Sequence, residues 1–144
     1  MADNALFIDT NVLVYANVIE SPFHDRVLAA LEAAHQANRP LWISRQIIRE
    51  YLVTMTRPQT FQTLPRETVL EQVGLFTERF TVADDAPAVT AQLLQLMAAY
   101  KLGGKQVHDA NVVATMLAYG VSSLLTCNDK DFQRFDDVIA IETG

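Results

Sequence analysis

The run Leu6-Phe-Ile-Asp-Thr-Asn-Val-Leu-Val-Tyr15 constrains the fold more tightly than any other stretch of the chain. Its apolar start has the character of a strand buried on both faces, yet it ends on a carboxylate followed by Thr10 and Asn11. A charge at the edge of a core is costly unless it is paired, hydrogen-bonded or bound to a metal ion. Asp9 is therefore either a satisfied structural acid or part of a site.

With 144 residues, 50% of them hydrophobic, the chain suits one domain spanning 1–144 with a sizeable core. Met1-Ala-Asp-Asn opens acidic, unlike a secretory signal, and Asp9 and Asn11 interrupt the first apolar run before it could span a membrane. The expectation is a soluble, cytoplasmic protein that enters no membrane. Cys127 has no second Cys for an intrachain disulfide and no Cys or His at metal-finger spacing, in keeping with a reducing compartment. A net charge of −6 and a pI near 4.9 argue against coating nucleic acid by bulk electrostatics. A polyanionic substrate would then need metal ions or a local basic rim. Arg45, Arg49, Arg57, Lys101, Lys105 and Lys130 are the candidates for a rim, with solvated surface as the plain alternative.

Taken in order, residues 6–9 form a first strand, and the residues after Asp9 turn into a brief helix carrying Val12, Leu13 and Tyr15. Val27, Leu28, Leu31 and Ala34 recur at helical spacing from His24 to Asn38, where Asn38-Arg39-Pro40 ends the helix. Leu41–Ile43 is a second strand, and Ser44 caps a helix whose stripe is Ile47, Ile48, Tyr51, Leu52 and Met55. Residues 57–64 lack periodicity. Pro65 suits the first turn of a helix through Val69, Val73 and Phe76, before a third strand at Phe80–Val82. Asp84 or Asp85, with Pro87 just inside, starts a long helix to about Tyr100. Lys101-Leu-Gly-Gly-Lys105 is a basic loop or a plain helix cap and turn, and Gln106–Tyr119 is the next helix, ended by Gly120. Ser123–Thr126 is strand four, Asn128–Phe132 a polar turn, and Val138–Ile141 strand five. Short strands alternating with helices imply a parallel sheet with helices on both faces, an α/β/α arrangement.

In such a sheet the functional crevice lies beyond the carboxyl ends of the strands, where strand order reverses. Asp9 follows strand one, Glu50 lies in the helix after strand two, Asp109 in the helix leading to strand four, and Asn128-Asp129 just after strand four. All can converge at one end. Plain roles exist for each: Glu50 could pair with Arg57, and Asp109 could be stabilised by a helix N-terminus. Carboxylates brought within about 4–5 Å of one another would repel by a few kcal/mol per pair at an effective dielectric of about 20, a penalty that a divalent cation removes. Oxygen ligands without Cys or spaced His favour Mg²⁺ or Mn²⁺ over Zn²⁺, and such ions serve phosphodiester hydrolysis. His108 is a candidate general base or a local hydrogen-bonding group, while His24 and His35 read as surface, and Tyr15, Trp42 and Phe132 as core.

Phe7-Ile-Asp-Thr-Asn-Val-Leu13, the isolated Glu50, Val107-His-Asp-Ala-Asn111 and Leu125-Thr-Cys-Asn-Asp-Lys-Asp-Phe132 resemble, in order and spacing, the motifs of PIN domains, and among them the VapC ribonuclease toxins of toxin–antitoxin pairs. The likeness spans nearly the whole chain. It implies a three-layer α/β/α sandwich with a central five-stranded parallel sheet, a Mg²⁺- or Mn²⁺-dependent endoribonuclease acting on RNA, a small antitoxin partner and a homodimer. It further implies that Asp9 and Asp109 are direct metal ligands, that Glu50 binds or orients the metal and its water, and that Asn11 and Thr126 support the site. Asn128 stands where many members carry Asp, so Asp129 or Asp131 would have to supply the fourth acid; of these Asp129 is taken as catalytic, with Asn128 supporting. Two other readings compete: a PIN-like RNA-binding or scaffold domain without turnover, and a phosphatase with Asp9 as nucleophile. Asn11 opposes the latter, because such enzymes generally carry a second Asp at that place.

Overall fold

A computed structural model of the protein describes residues 4–58 and 64–144. The strands are β1 (Leu6–Ile8), β2 (Leu41–Ser44), β3 (Thr81–Ala83), β4 (Ser123–Thr126) and β5 (Ala140–Thr143). The helices are α1 (Thr10–Ala16), α2 (His24–Gln36), α3 (Arg45–Met55), α4 (Arg66–Arg79), α5 (Pro87–Ala99) and α6 (Gln106–Tyr119). Every strand pair is parallel and the order is β3-β2-β1-β4-β5, so the expected five-stranded parallel α/β/α sheet is what forms.

β1 lies at the centre, and all three of its residues are buried, as a strand covered on both faces requires. The chain steps from β1 outward through β2 to β3 and then returns across the sheet to β4. With right-handed crossovers that reversal places α1–α4 on one face and α5–α6 on the other. In keeping with this, α1 packs against α2 and α3, and α5 against α6. α6 shows how thoroughly its layer is covered: Ala110, Val112, Val113, Ala114, Thr115 and Met116 are all buried, a wider belt than one helical stripe. Trp42 meets Tyr119 of α6 at 5.6 Å between ring centroids, and Tyr51 stands edge-on to Phe76 at 4.9 Å.

Several boundaries differ from the sequence expectation, each for a local reason. Strand one stops at Ile8, because the Asp9 side chain is the N-cap of α1. Strand five is Ala140–Thr143 rather than Val138–Ile141: the Val138 and Ile139 amides both donate to the Phe135 carbonyl and are used up in a turn. The N-cap of α5 is Ala86, leaving the Asp84 and Asp85 side chains to pair with Arg45 and Arg49. α2 ends at Gln36, and Asn38 takes the left-handed conformation at φ 56°. Residues 59–63 of the aperiodic 57–64 stretch fall outside the described residues. His24 is half-buried rather than plain surface, with Nδ1 donating to the Tyr15 carbonyl at 2.8 Å. Among the described residues no helix is long and apolar enough to cross a membrane.

Leu124 of β4 is fully enclosed in the core, whereas Leu94 of α5 is 64% exposed. Leu124→Ala is expected to lower unfolding free energy by about 2–5 kcal/mol in urea titrations, and Leu94→Ala by less than about 0.5 kcal/mol.

Candidate active site

The order of strands reverses between β1 and β4, and Asp9 sits at that point, 8% exposed. Its amide is held by the Leu125 carbonyl at 3.0 Å, so the backbone is still part of the ladder when the side chain begins the next helix. Oδ1 accepts from the Thr10 amide at 2.8 Å, and Oδ2 accepts from the Thr126 hydroxyl at 2.8 Å. Thr126 is itself buried at the end of β4, where its Oγ1 accepts from the Asn128 amide at 3.0 Å and from Asn11 Nδ2 at 3.4 Å. Asn11 Oδ1 closes the arrangement by accepting from the Cys127 amide at 3.0 Å. Side chains thus continue the β1–β4 pairing where the strands themselves end.

Glu50 reaches the same place from α3. Its Oε1 accepts from the Thr10 hydroxyl and its Oε2 from Gln46 Nε2, at 2.8 and 2.9 Å. Gln46 is buried with every polar atom engaged: Nε2 also donates to the His108 carbonyl at 2.8 Å, and Oε1 accepts from Asn111 Nδ2 at 2.8 Å. One amide therefore orients Glu50 and ties α3 to α6. Asp109 lies half-buried in the first turn of α6. Asp131 ends the short 3₁₀ turn Asp129–Asp131 after β4, with Oδ2 accepting from Asn128 Nδ2 at 2.6 Å.

Asp9, Glu50, Asp109 and Asp131 line one cleft of about 790 Å³, together with Gln46 and His108. Arg49, Arg57 and Lys105 lend it positive charge, and Val14, Tyr15, Val53 and Phe132 an apolar wall. Burial pushes the Asp9 carboxyl up to about 6, helped by the charges of Glu50 and Asp131 and opposed by its hydrogen bonds from Thr126 and Thr10. Asp109 is likewise raised to about 6, first by burial and then by Asp131, Asp9 and Glu50, with His108 opposing. The cleft is an acidic place short of countercharge.

Among the described residues no group of three or more His, Cys, Asp or Glu side chains stands close enough to cage a metal ion. The four acids offer only oxygen donors, and Mg²⁺ commonly keeps several waters while bound through one or two carboxylates. The set fits a hydrated hard cation and not a closed four-ligand zinc site.

Asp9, Glu50 and Asp109 thus come together as the sequence suggested, with Asn11 and Thr126 holding the framework. The fourth acid at the cleft is Asp131; Asp129 and Asn128 are not among its lining residues, and Asn128 acts on the site through its hydrogen bond to Asp131. Of the six candidate cations Arg49, Arg57 and Lys105 line the cleft, while Arg45 pairs with Asp84. Gln46 and the Thr10 hydroxyl escaped the sequence reading. The available signal was positional: Gln46 precedes Glu50 by one helical turn, the spacing at which side chains on a helix meet.

The sequence profile of the PIN domain family matches residues 6–138. The chain belongs to the PIN domain family. It is 27% identical over 133 residues to Ribonuclease VapC48 of Mycobacterium tuberculosis, an alignment covering 90% of this chain and 91% of that protein. Among solved structures, VapBC2 from Rickettsia felis bound to a DNA fragment from its promoter superposes with a TM-score of 0.71 at 19% identity, covering 97% of this chain and 98% of that one. DNA-bound VapBC from Salmonella typhimurium gives 0.69 at 19% identity, covering 96% and 97%. At these identities the structures speak for the PIN fold.

In this PIN domain the raised Asp9 carboxyl also affects stability. Ionising it in the folded state is disfavoured relative to the unfolded chain, so the cost grows as pH rises from about 4 and is complete above about 6, reaching at most about 3 kcal/mol. In metal-free buffer Asp9→Asn is expected to unfold at higher temperature than wild type at pH 7.5 and to lose that advantage near pH 4, as thermal melts across pH would record.

Proposed function

We propose that this PIN domain is a divalent-metal-dependent endoribonuclease and the toxin of a toxin–antitoxin pair. The observation that carries the reading is the convergence of Asp9, Glu50, Asp109 and Asp131 on one cleft at the switch point of the sheet. The relationship to Ribonuclease VapC48, and the likeness to toxins solved as VapBC assemblies, support the same conclusion and suggest a small antitoxin as partner.

Asp9 and Asp109 would hold Mg²⁺ or Mn²⁺, the two carboxyls whose burial and negatively charged neighbours leave them most in need of a counterion. Bound there, the ion would supply a hydroxide-like nucleophile and stabilise charge on the leaving oxygen of a phosphodiester. Thr126 and the Thr10 amide fix both oxygens of Asp9, so little reorientation is needed when a ligand arrives. Thr10 and Gln46 aim Glu50 into the cleft, where its carboxylate can accept a proton from a water directed at the phosphorus. Asp131 completes the acidic set in the role that Asp129 was expected to fill. Arg49, Arg57 and Lys105 would meet the phosphates of a strand laid along the cleft, offsetting the overall negative charge of the protein.

Cleavage of a panel of structured RNAs with Mg²⁺ or Mn²⁺ tests the reading. Wild type is expected to cut and to stop on chelation with EDTA, and Asp9→Asn and Asp109→Asn each to lose at least about 100-fold in rate. Gln46→Ala, which leaves the carboxylates in place but unanchors Glu50, is expected to lose about 10–100-fold. Cutting that survives both Asp substitutions would overturn the assignment, and metal-dependent RNA binding without turnover would favour a binding domain.

A further inference from the structure

Two arginines of α3 point toward the turn that follows β3, and only one of them also faces the cleft. Arg45 Nε lies 3.1 Å from Asp84 Oδ1, and Arg49 Nη2 lies 3.2 Å from Asp85 Oδ2. Arg49 lines the cleft beside Glu50, and neither Arg45 nor either aspartate does. Among the described residues Arg49 is the lining cation that stands in an ion pair.

The two ends of the Arg49–Asp85 pair are not equally free. The turn is pinned, since the Tyr119 hydroxyl donates to the Asp84 carbonyl at 3.0 Å and accepts from the Asp84 amide at 3.1 Å, and the Ala86 amide closes back on the Asp84 carbonyl at 2.9 Å. Arg49 instead ends a long side chain that is 63% exposed. A solvent-exposed pair of this kind is weakly bound and readily opened. A phosphodiester, by contrast, offers a guanidinium two oxygens in bidentate geometry.

We propose that Arg49 is a phosphate-binding residue of the RNA site and that Asp85 is its built-in competitor, parking the guanidinium at the rim until a strand displaces it. This rests on the ribonuclease reading above. Asp85 then tunes substrate affinity from outside the cleft, because every strand that binds must first draw Arg49 away from it. Asp84 and Arg45 form a matched control, carrying the same charges on the same turn and helix without reaching the cleft.

The test is fluorescence anisotropy with a labelled hairpin RNA in Mg²⁺, across a series of salt concentrations, combined with kcat and KM on whichever RNA wild type cuts. Asp85→Asn is expected to tighten Kd and lower KM by about two- to five-fold with kcat unchanged. Asp84→Asn, which removes an equal charge, should give a smaller change. Arg49→Ala should raise Kd, reduce the salt slope by about one and erase the difference between the two aspartate variants, with Arg49→Lys restoring part of the affinity. Equal effects of Asp84→Asn and Asp85→Asn, or persistence of the Asp85→Asn gain in the Arg49→Ala background, would overturn the inference while leaving the ribonuclease intact. So would weaker binding by Asp85→Asn, the result expected if a freed Arg49 collapses onto Glu50. A wild type that neither binds nor cuts RNA would remove the underlying reading, and the inference with it.

Discussion

The structure depends on keeping one carboxylate, that of Asp9, at the carboxyl end of a strand that is otherwise wholly inside. Among the described residues nothing of opposite charge is hydrogen-bonded to it. It is held by a hydroxyl and an amide, which fix its orientation but do not cancel the cost of burial, so that burial, with the charges of Glu50 and Asp131, still pushes its carboxyl up. The neighbours follow from this need. Thr126 must be buried to reach Oδ2, Asn11 must bridge to Cys127 to fix the strand ends, and Thr10, which gives its amide to Asp9, gives its hydroxyl to Glu50.

The second anchoring element is Gln46. A neutral amide with three good partners is a stable thing to bury, because each of its bonds replaces one lost to water. Its position makes the site a junction: α3 presents Glu50, α6 presents Asp109, and Gln46 fixes the separation of the two by gripping the His108 carbonyl and the Asn111 side chain. The acids are thus spaced by a rigid polar network while their charges remain uncompensated, a balance suited to a cation that arrives with its own waters.

Much of this could be read from the sequence, and the residues tell why. Asp9, Glu50 and Asp109 stood out because each interrupts or borders an apolar pattern, and periodicity is what a sequence displays best. The alternation of strands and helices gave the layered sheet, and the carboxyl-end rule gave the place of the site. What escaped depended on side chains meeting across elements distant in sequence. Gln46 looks like an ordinary helix residue until α6 is placed beside it. Asp131 and Asp129 are two positions apart, and which of them faces the cleft is decided by a short 3₁₀ turn that no spacing rule specifies. Val138 and Ile139 looked like the start of a strand because they are β-branched, yet their amides were already spent on the Phe135 carbonyl.

The pairing of β1 with β4 joins residues at opposite ends of the sequence, and the Thr126–Asp9 hydrogen bond spans 117 positions. Contacts of such separation form late, since a long loop must close before they contribute. On the ribosome, a nascent chain that has emerged only through α5 lacks the strand that completes the centre of the sheet and the hydroxyl that orients Asp9. The cleft therefore comes into being only once β4 has been made and joined to β1. Should the protein act as a toxin, this topology withholds its potency until the strand that carries Thr126 is in place.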